Sequence, residues 1–253
     1  MRSKLFRYGW IPDLPDARDR MFRAPRKAAP LPPSVDLRSG CPSVYDQGEL
    51  GACTANAIAA AVQFDQCKQN LTQTFLPSRL FIYYNERAIE GTIASDSGAM
   101  LRDGIKTVAS QGACPEPMWP YVEDKFADRP PSGCYKIGKT HPAVAYERVA
   151  QDAGDLKACL AAGYPFVFGF TVYESFESDA VAHTGVVEMP ETGETAMGGH
   201  AVLAAGYDDS SQRFLVRNSW GSGWGMGGYF TIPYGYVTDS DLADDFWTIR
   251  VVR

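Results

Sequence analysis

Four residues of this chain have the types and the spacing for acyl transfer through a thiol: Cys53, His200, Asn218 and Gln47. Cys53 follows the turn-rich run Asp46-Gln47-Gly48-Glu49-Leu50-Gly51 and opens an apolar, helix-forming stretch. A cysteine in an apolar helix is ordinarily packing. At a helix start it meets about half a positive charge and unpaired amides, which favour a thiolate. Such a nucleophile needs a base, and the base needs an orienting group. The chain has three histidines. His141 precedes a proline and His183 lies in a polar stretch, so both are expected at the surface. His200 follows Gly198-Gly199 and begins the apolar strand Ala201-Val202-Leu203-Ala204-Ala205. Asn218 ends the next strand across the Asp208–Gln212 turn, which makes the two neighbours. Its carbonyl can hold one imidazole nitrogen and leave the other facing sulfur. Trp220 would shield that bond from water. Gln47, six residues before Cys53, would join the Cys53 N–H in an oxyanion hole.

These residues sit in segments that resemble the papain family of cysteine proteases: Gln47, Gly51-Ala52-Cys53, Gly199-His200-Ala201 and the run Asn218-Ser219-Trp220-Gly221-Ser222-Gly223-Trp224-Gly225. Four separated motifs in the family's order carry the resemblance, which spans about residues 34–253. It implies an α+β, papain-like two-lobe fold. A helical lobe would bear Cys53, an antiparallel β-barrel-like lobe would bear His200 and Asn218, and peptides would be cut in the cleft between them without a cofactor. It also implies that Ser97 and Gly98 belong to the wall that binds substrate backbone, with Met100 near a substrate pocket and Trp220 on the same cleft. Three departures stand out. Leu50 and Thr54 replace a usual cysteine and a usual aromatic residue, and Ser95 lies near the place of that cysteine's partner. Losing both halves of a disulfide leaves no orphan thiol. The long helical pro-segment of many members is missing.

The elements that must position the site fall into two halves. Helices are expected from Cys53 to about Asn70, from Pro77 at a first helical position to Gly91, and from Ser97 to Gln111, with Gly112 as the stop. A proline-marked loop region follows over residues 113–147. A short helix is expected near Asp155–Ala162, then strands at Pro165–Val172, His200–Tyr207, Arg213–Ser219, Gly228–Ile232 and Phe246–Val252. Helices first and strands afterwards indicate an α+β protein with two lobes, about 34–147 and about 148–253.

Residues 1–33 form a separate, proline-rich arm. They hold eight Lys/Arg against three Asp, a net of +5, and six prolines. The other 220 residues hold 16 Lys/Arg against 27 Asp/Glu, a net of −11. Opposite charge would draw the arm onto the body, and Tyr8, Trp10, Ile11 and Leu14 want burial. The arm is therefore expected to lie on the cleft and restrain it, or to pack on the back of a lobe. The whole chain's net charge of −6 does not favour nucleic acid. Its longest apolar runs are too short for a bilayer, so no membrane role is expected. The first residues lack an apolar core before Pro12 and Asp13, which points away from a cleavable signal and toward the cytosol or a signal-less export route.

Besides Cys53, five cysteines remain: 41, 67, 114, 134 and 159. An odd number does not pair completely within one chain. Cys114–Cys134 is the first pair to consider, with free thiols as the alternative. Two further matches fail on context. Gly133-Cys134-Tyr135-Lys136-Ile137-Gly138-Lys139-Thr140 fits a phosphate loop, but prolines precede it and His141-Pro142 follows. Gly223-Trp224-Gly225-Met226-Gly227-Gly228 fits a dinucleotide fingerprint but leads into a strand. No metal-ligand spacing occurs. The sequence thus points to a cysteine endopeptidase acting on peptide or protein substrates. An acyl transferase or deamidase using the same thiol, or an idle peptide-binding module, are the alternatives.

Overall fold

In the computed structural model, which describes residues 8–23, 30–69, 74–141 and 144–251, Cys53 opens α1 (Cys53–Lys68). Alanine supplies much of this helix and favours it strongly. The apolar positions do not form one stripe. Nearly every residue from Cys53 to Gln66 is buried, because α1 is packed on all sides. Around it lie α2 (Arg79–Glu90) and α3 (Leu101–Gln111). Ser78, not Pro77, sets the start of α2: it is the N-cap and accepts from the Phe81 N–H. Gly91 ends α2 in the left-handed region at φ 74°. The third helix starts four residues later than expected. Gly98 has φ 76°, which a helix excludes, and Ala99–Met100 are extended. The loop region 113–147 contains α4 (Ser132–Gly138) and a strand at Val144–Arg148.

Among the described residues the strands are β1 (Trp10–Ile11), β2 (Ser34–Asp36), β3 (Ala99–Met100), β4 (Val144–Arg148), β5 (Phe166–Tyr173), β6 (Ala196–Asp208), β7 (Arg213–Arg217), β8 (Tyr229–Pro233) and β9 (Ala243–Val251). The remaining helices are α5 (Ala153–Ala161), α6 (Asp179–Thr184) and α7 (Tyr234–Thr238). Seven strands make one antiparallel sheet in the order β4-β9-β5-β6-β7-β8, with β2 paired to β6. The sheet is open, its ends at β4 and β8. The expected terminal residues Asn70 and Val252 lie outside the described residues.

Alternation along the strands joins the two lobes. Phe166, Phe168 and Phe170 of β5, with Val202 and Ala204 of β6, face one core that also holds Phe214, Phe230 and Phe246. Val167, Ala201, Leu203, Trp247 and Ile249 point the other way, into the core around α1. Both faces of the sheet are covered, which is why these strands read as continuous apolar runs. Each fully buried large side chain contributes about 1.5–3 kcal/mol.

The arm crosses the front of this assembly. β1 pairs in parallel with β3, Trp10 opposite Ala99 and Ile11 opposite Met100. The Ala99 N–H donates to the Gly9 carbonyl at 2.8 Å. Farther on, Phe22 enters the sheet core and its N–H donates to the Arg148 carbonyl at 2.7 Å. Of the arm's eight Lys/Arg, five (Arg2, Lys4, Arg7, Arg26 and Lys27) lie outside the described residues, whereas all three acids of the arm are described. Its acids meet basic residues of the body: Asp19 pairs with Arg102 at 2.5 Å and with Arg148 at 3.7 Å, and Asp13 accepts from the Arg102 N–H at 3.0 Å. Arg18 pairs within the arm, with Asp16 at 2.7 Å. Among the described residues, no arm cation pairs with a body acid. Residues 1–7 and 24–29 of the arm lie outside the described residues.

Candidate active site

β6 carries His200 and the loop after β7 carries Asn218. His200 Nε2 and Asn218 Oδ1 are 2.8 Å apart. The same Oδ1 accepts the Ser219 N–H at 2.8 Å. An amide N–H only donates, so this atom must be the side-chain oxygen and not the amide nitrogen. Nε2 must then donate to it, and Nδ1 is left with a bare lone pair when the ring is neutral. Nδ1 has no hydrogen-bond partner. The ring of Trp220 lies over His200, 5.0 Å between centroids at 29°. Phe170, opposite His200 in the sheet register, meets it edge-on at 5.8 Å.

Cys53 sits across from this pair. Its sulfur accepts from the backbone N–H groups of Ala201, Gly9 and Thr54. No side chain caps α1, so the first amides of the helix are not taken by a capping group. Gln47 is fully buried before the helix. Its Nε2 donates to the Leu50 carbonyl at 2.9 Å, and its Oε1 accepts from Ser219 Oγ at 2.6 Å. The Gln47 N–H donates to the Ser219 carbonyl at 2.9 Å. Ser219 therefore ties Gln47 to Asn218 across the lobes. Sequence reasoning missed it, since its role depends on a contact 172 positions away. A serine directly after the candidate orienting Asn218 was the available signal.

Both central groups are at 0% exposure. Burial pushes the Cys53 thiol up to about 12, against the pull of its backbone donors. Burial also pushes His200 down to about 4, and the Asn218 bond only partly offsets this. Burial therefore disfavours the charged form of both groups, and works against the thiolate that the helix start favours. Glu86 lies deeper, fully buried, and accepts from Thr54 Oγ1 at 2.7 Å. Burial holds its carboxyl well above the ordinary range.

The arm supplies the cover. A Cβ at Gly9 would overlap the Gly51 carbonyl, and one at Gly98 would overlap the Gly9 carbonyl. The Trp10 indole lies where side chains at Gly169 and Gly199 would be, and its N–H donates to Asp245 Oδ2 at 3.0 Å. Tyr8 meets His200 edge-on at 6.1 Å and lies 6.2 Å from Trp220. The residues expected to bind substrate are thus in contact with the chain's own arm or close to it. Gly98 touches Gly9, Met100 pairs with Ile11, and Trp220 is near Tyr8. Ser97 is exposed beside Gly98. Of the other histidines, His183 is exposed as expected. His141 is instead half-buried, its ring 4.2 Å from that of Phe75, because an imidazole stacks well on an aromatic face. No three His, Cys, Asp or Glu residues form a metal-holding group among the described residues. No described helix is long and apolar enough to cross a membrane.

Comparison with known proteins places the chain in a family. An uncharacterized peptidase C1-like protein of Acanthamoeba polyphaga mimivirus is 44% identical over 97% of this chain and 87% of its own length. A cathepsin B-like protein of Giardia intestinalis is 30% identical over 81% of this chain and 70% of its own. The crystal structure of xylellain, a cysteine protease from Xylella fastidiosa, superimposes with a TM-score of 0.92 at 47% identity, covering 100% of this chain and 99% of that one. The family model described as papain family cysteine protease matches residues 31–248. The chain belongs to the papain family of cysteine proteases.

Proposed function

We propose that the chain cuts peptide bonds with Cys53 as nucleophile, His200 as general base and then acid, Asn218 as the residue that orients His200, and Gln47 as an oxyanion donor. The bond between His200 Nε2 and Asn218 Oδ1 carries this reading, because it leaves Nδ1 bare on the ring next to Ala201, whose N–H touches the Cys53 sulfur. In this scheme Nδ1 takes the thiol proton and the sulfur attacks the scissile carbonyl carbon. The Cys53 N–H and the Gln47 side-chain amide hold the oxyanion. The carbon–nitrogen bond breaks as His200 protonates the departing amine. Water then repeats the sequence on the thioester and releases the acid.

The reading includes the arm. Residues 1–33 are a regulatory segment whose stretch from Tyr8 to Asp19 lies over the cleft and restrains the peptidase, which occupies residues 34–253. Ser97, Gly98, Met100 and Trp220 face substrate once the arm leaves. The contacts of Gly9, Trp10 and Tyr8 described above, with complete burial of the Cys53 thiol, support this.

The test is intact mass after exposure to a peptidyl epoxide, with Cys53→Ala alongside. The full chain should gain adduct slowly, a chain without residues 1–33 quickly, and the variant not at all. Equal rates for the long and short chains would refute the restraint. Adduct on Cys53→Ala would refute the nucleophile. Peptide products bearing an added amine in place of water would assign the transferase chemistry instead.

A further inference from the structure

Cys114 and Cys134 lie outside the site and form a small buried cluster with Phe81. They are exposed by 0% and 1%. The two side chains share this one three-residue cluster, closed in by Trp119 and Tyr135. Their partners are otherwise fixed: the Cys114 carbonyl accepts the Ser78 N–H at 2.8 Å, and the Cys134 thiol lies 3.8 Å from the Met118 carbonyl. Between them runs a segment that braces the candidate oxyanion loop. Glu116 pairs with Arg79 at 2.7 Å, and Arg79 donates to the Asp46 carbonyl at 3.1 Å. Tyr121 Oη donates to the Gln47 carbonyl at 2.8 Å. Both ends of that brace are thus anchored in the one buried cluster that holds the two cysteines.

We infer that Cys114 and Cys134 are a disulfide-forming pair, closed by a small-molecule disulfide oxidant, and that the link staples the segment bracing Gln47. In the step, the Cys114 sulfur attacks one sulfur of oxidised glutathione and expels a glutathione thiolate. The Cys134 sulfur then attacks the Cys114 sulfur and expels the second. The pair loses two protons and two electrons, and one glutathione disulfide becomes two thiols. Burial holds the Cys114 thiol well above its ordinary range, which slows the attack without altering the product. This is the signature of a structural link, not of a rapid exchange site. Cys67 is exposed and has no thiol partner of this kind, and Cys41 and Cys159 bond to backbone carbonyls instead.

The experiment uses the full chain carrying Cys53→Ala, which excludes self-cleavage. It is unfolded with reductant, refolded in a glutathione redox buffer, quenched with iodoacetamide and digested for peptide mapping. The expected product is one peptide pair joined through Cys114 and Cys134, with Cys41, Cys67 and Cys159 unjoined to either. Its thermal midpoint should fall by about 5–10 °C on adding reductant, the effect of opening a loop of this length. The same chain with Cys114→Ser should show no reductant-dependent shift, whatever its own stability. Alkylation of both Cys114 and Cys134, glutathione retained on either one, or linkage of either to another cysteine would overturn the inference.

Discussion

Replacing Trp10 by alanine should release the arm while leaving the two lobes folded. Trp10 is 9% exposed, and its indole fills the space over Gly169 and Gly199. Truncating a buried Trp costs about 3–5 kcal/mol. The lower end applies here, because the paired strand is two residues long and Asp245 Oδ2 keeps its second donor, the Asp13 N–H at 2.7 Å. About 3 kcal/mol, at 1.36 kcal/mol per factor of ten, is roughly 150-fold in the ratio of released to docked arm. The assay is the rate at which a peptidyl epoxide labels Cys53 in the full chain, read on the peptide that contains it. The rate should rise toward 150-fold, limited by the rate of a fully open cleft. The thermal midpoint of the body should move little, since Trp10 is lost from the arm and not from the sheet. A folded Trp10→Ala chain that labels within about threefold of the parent would refute the reasoning, because docking would then not gate the thiol.

Gly9→Ala should act in the same direction by a different route, since its methyl group overlaps the Gly51 carbonyl and the arm must lift; faster labelling of Cys53 without added peptidase is the readout. Gln47→Ala should lower kcat by about 10²–10³-fold with KM changed far less, measured on a chain freed of its arm. Asn218→Ala should lower kcat at least tenfold, because general-base catalysis worth about 10²–10⁴ loses its orientation. The same change strands the buried Ser219 N–H at a cost of about 1–3 kcal/mol, visible as a lower midpoint. His200 is held at about 4 in the folded chain against about 6.5 unfolded, so the unfolded chain binds the extra proton between these values. Its contribution is present above pH 6.5 and is lost as pH falls toward 4, a total of about 3 kcal/mol. The difference in urea stability between the parent and His200→Gln should shrink by that amount over this window. A constant difference would mean that His200 is not buried neutral.

The groups proposed to react stood out because each sits at a marked place in the chain. Cys53 begins a helix after a turn, His200 follows two glycines into an apolar strand, and Asn218 closes the adjacent one. Strand pairing across a short turn then brings His200 and Asn218 together. What was not legible depended on contacts distant in sequence. The start of α3 gave way to Gly98 and to a strand pairing with the arm that no local pattern announces. The burial of α1 on every side hid behind alanines, which look alike whether they face a core or a partner helix. The arm's docking also rests on pairings that a net charge does not reveal, since Asp13 and Asp19 dock on arginines of the body.

The ionisation of the site follows from the same cover. A thiol and an imidazole in a cleft open to water would differ modestly in proton affinity, and the helix start would favour the ion pair. Under the arm the difference runs from about 4 for His200 to about 12 for Cys53. Moving the proton from sulfur to nitrogen would leave two charges in a space with little water, and desolvation is the largest cause of both displacements. On the proposed reading, restraint therefore acts twice. Gly9 and Trp10 take the place a peptide needs, and by excluding water they also hold the nucleophile in its unreactive protonation state. Steric occupation and chemical silence come from one segment, so lifting that segment restores both at once.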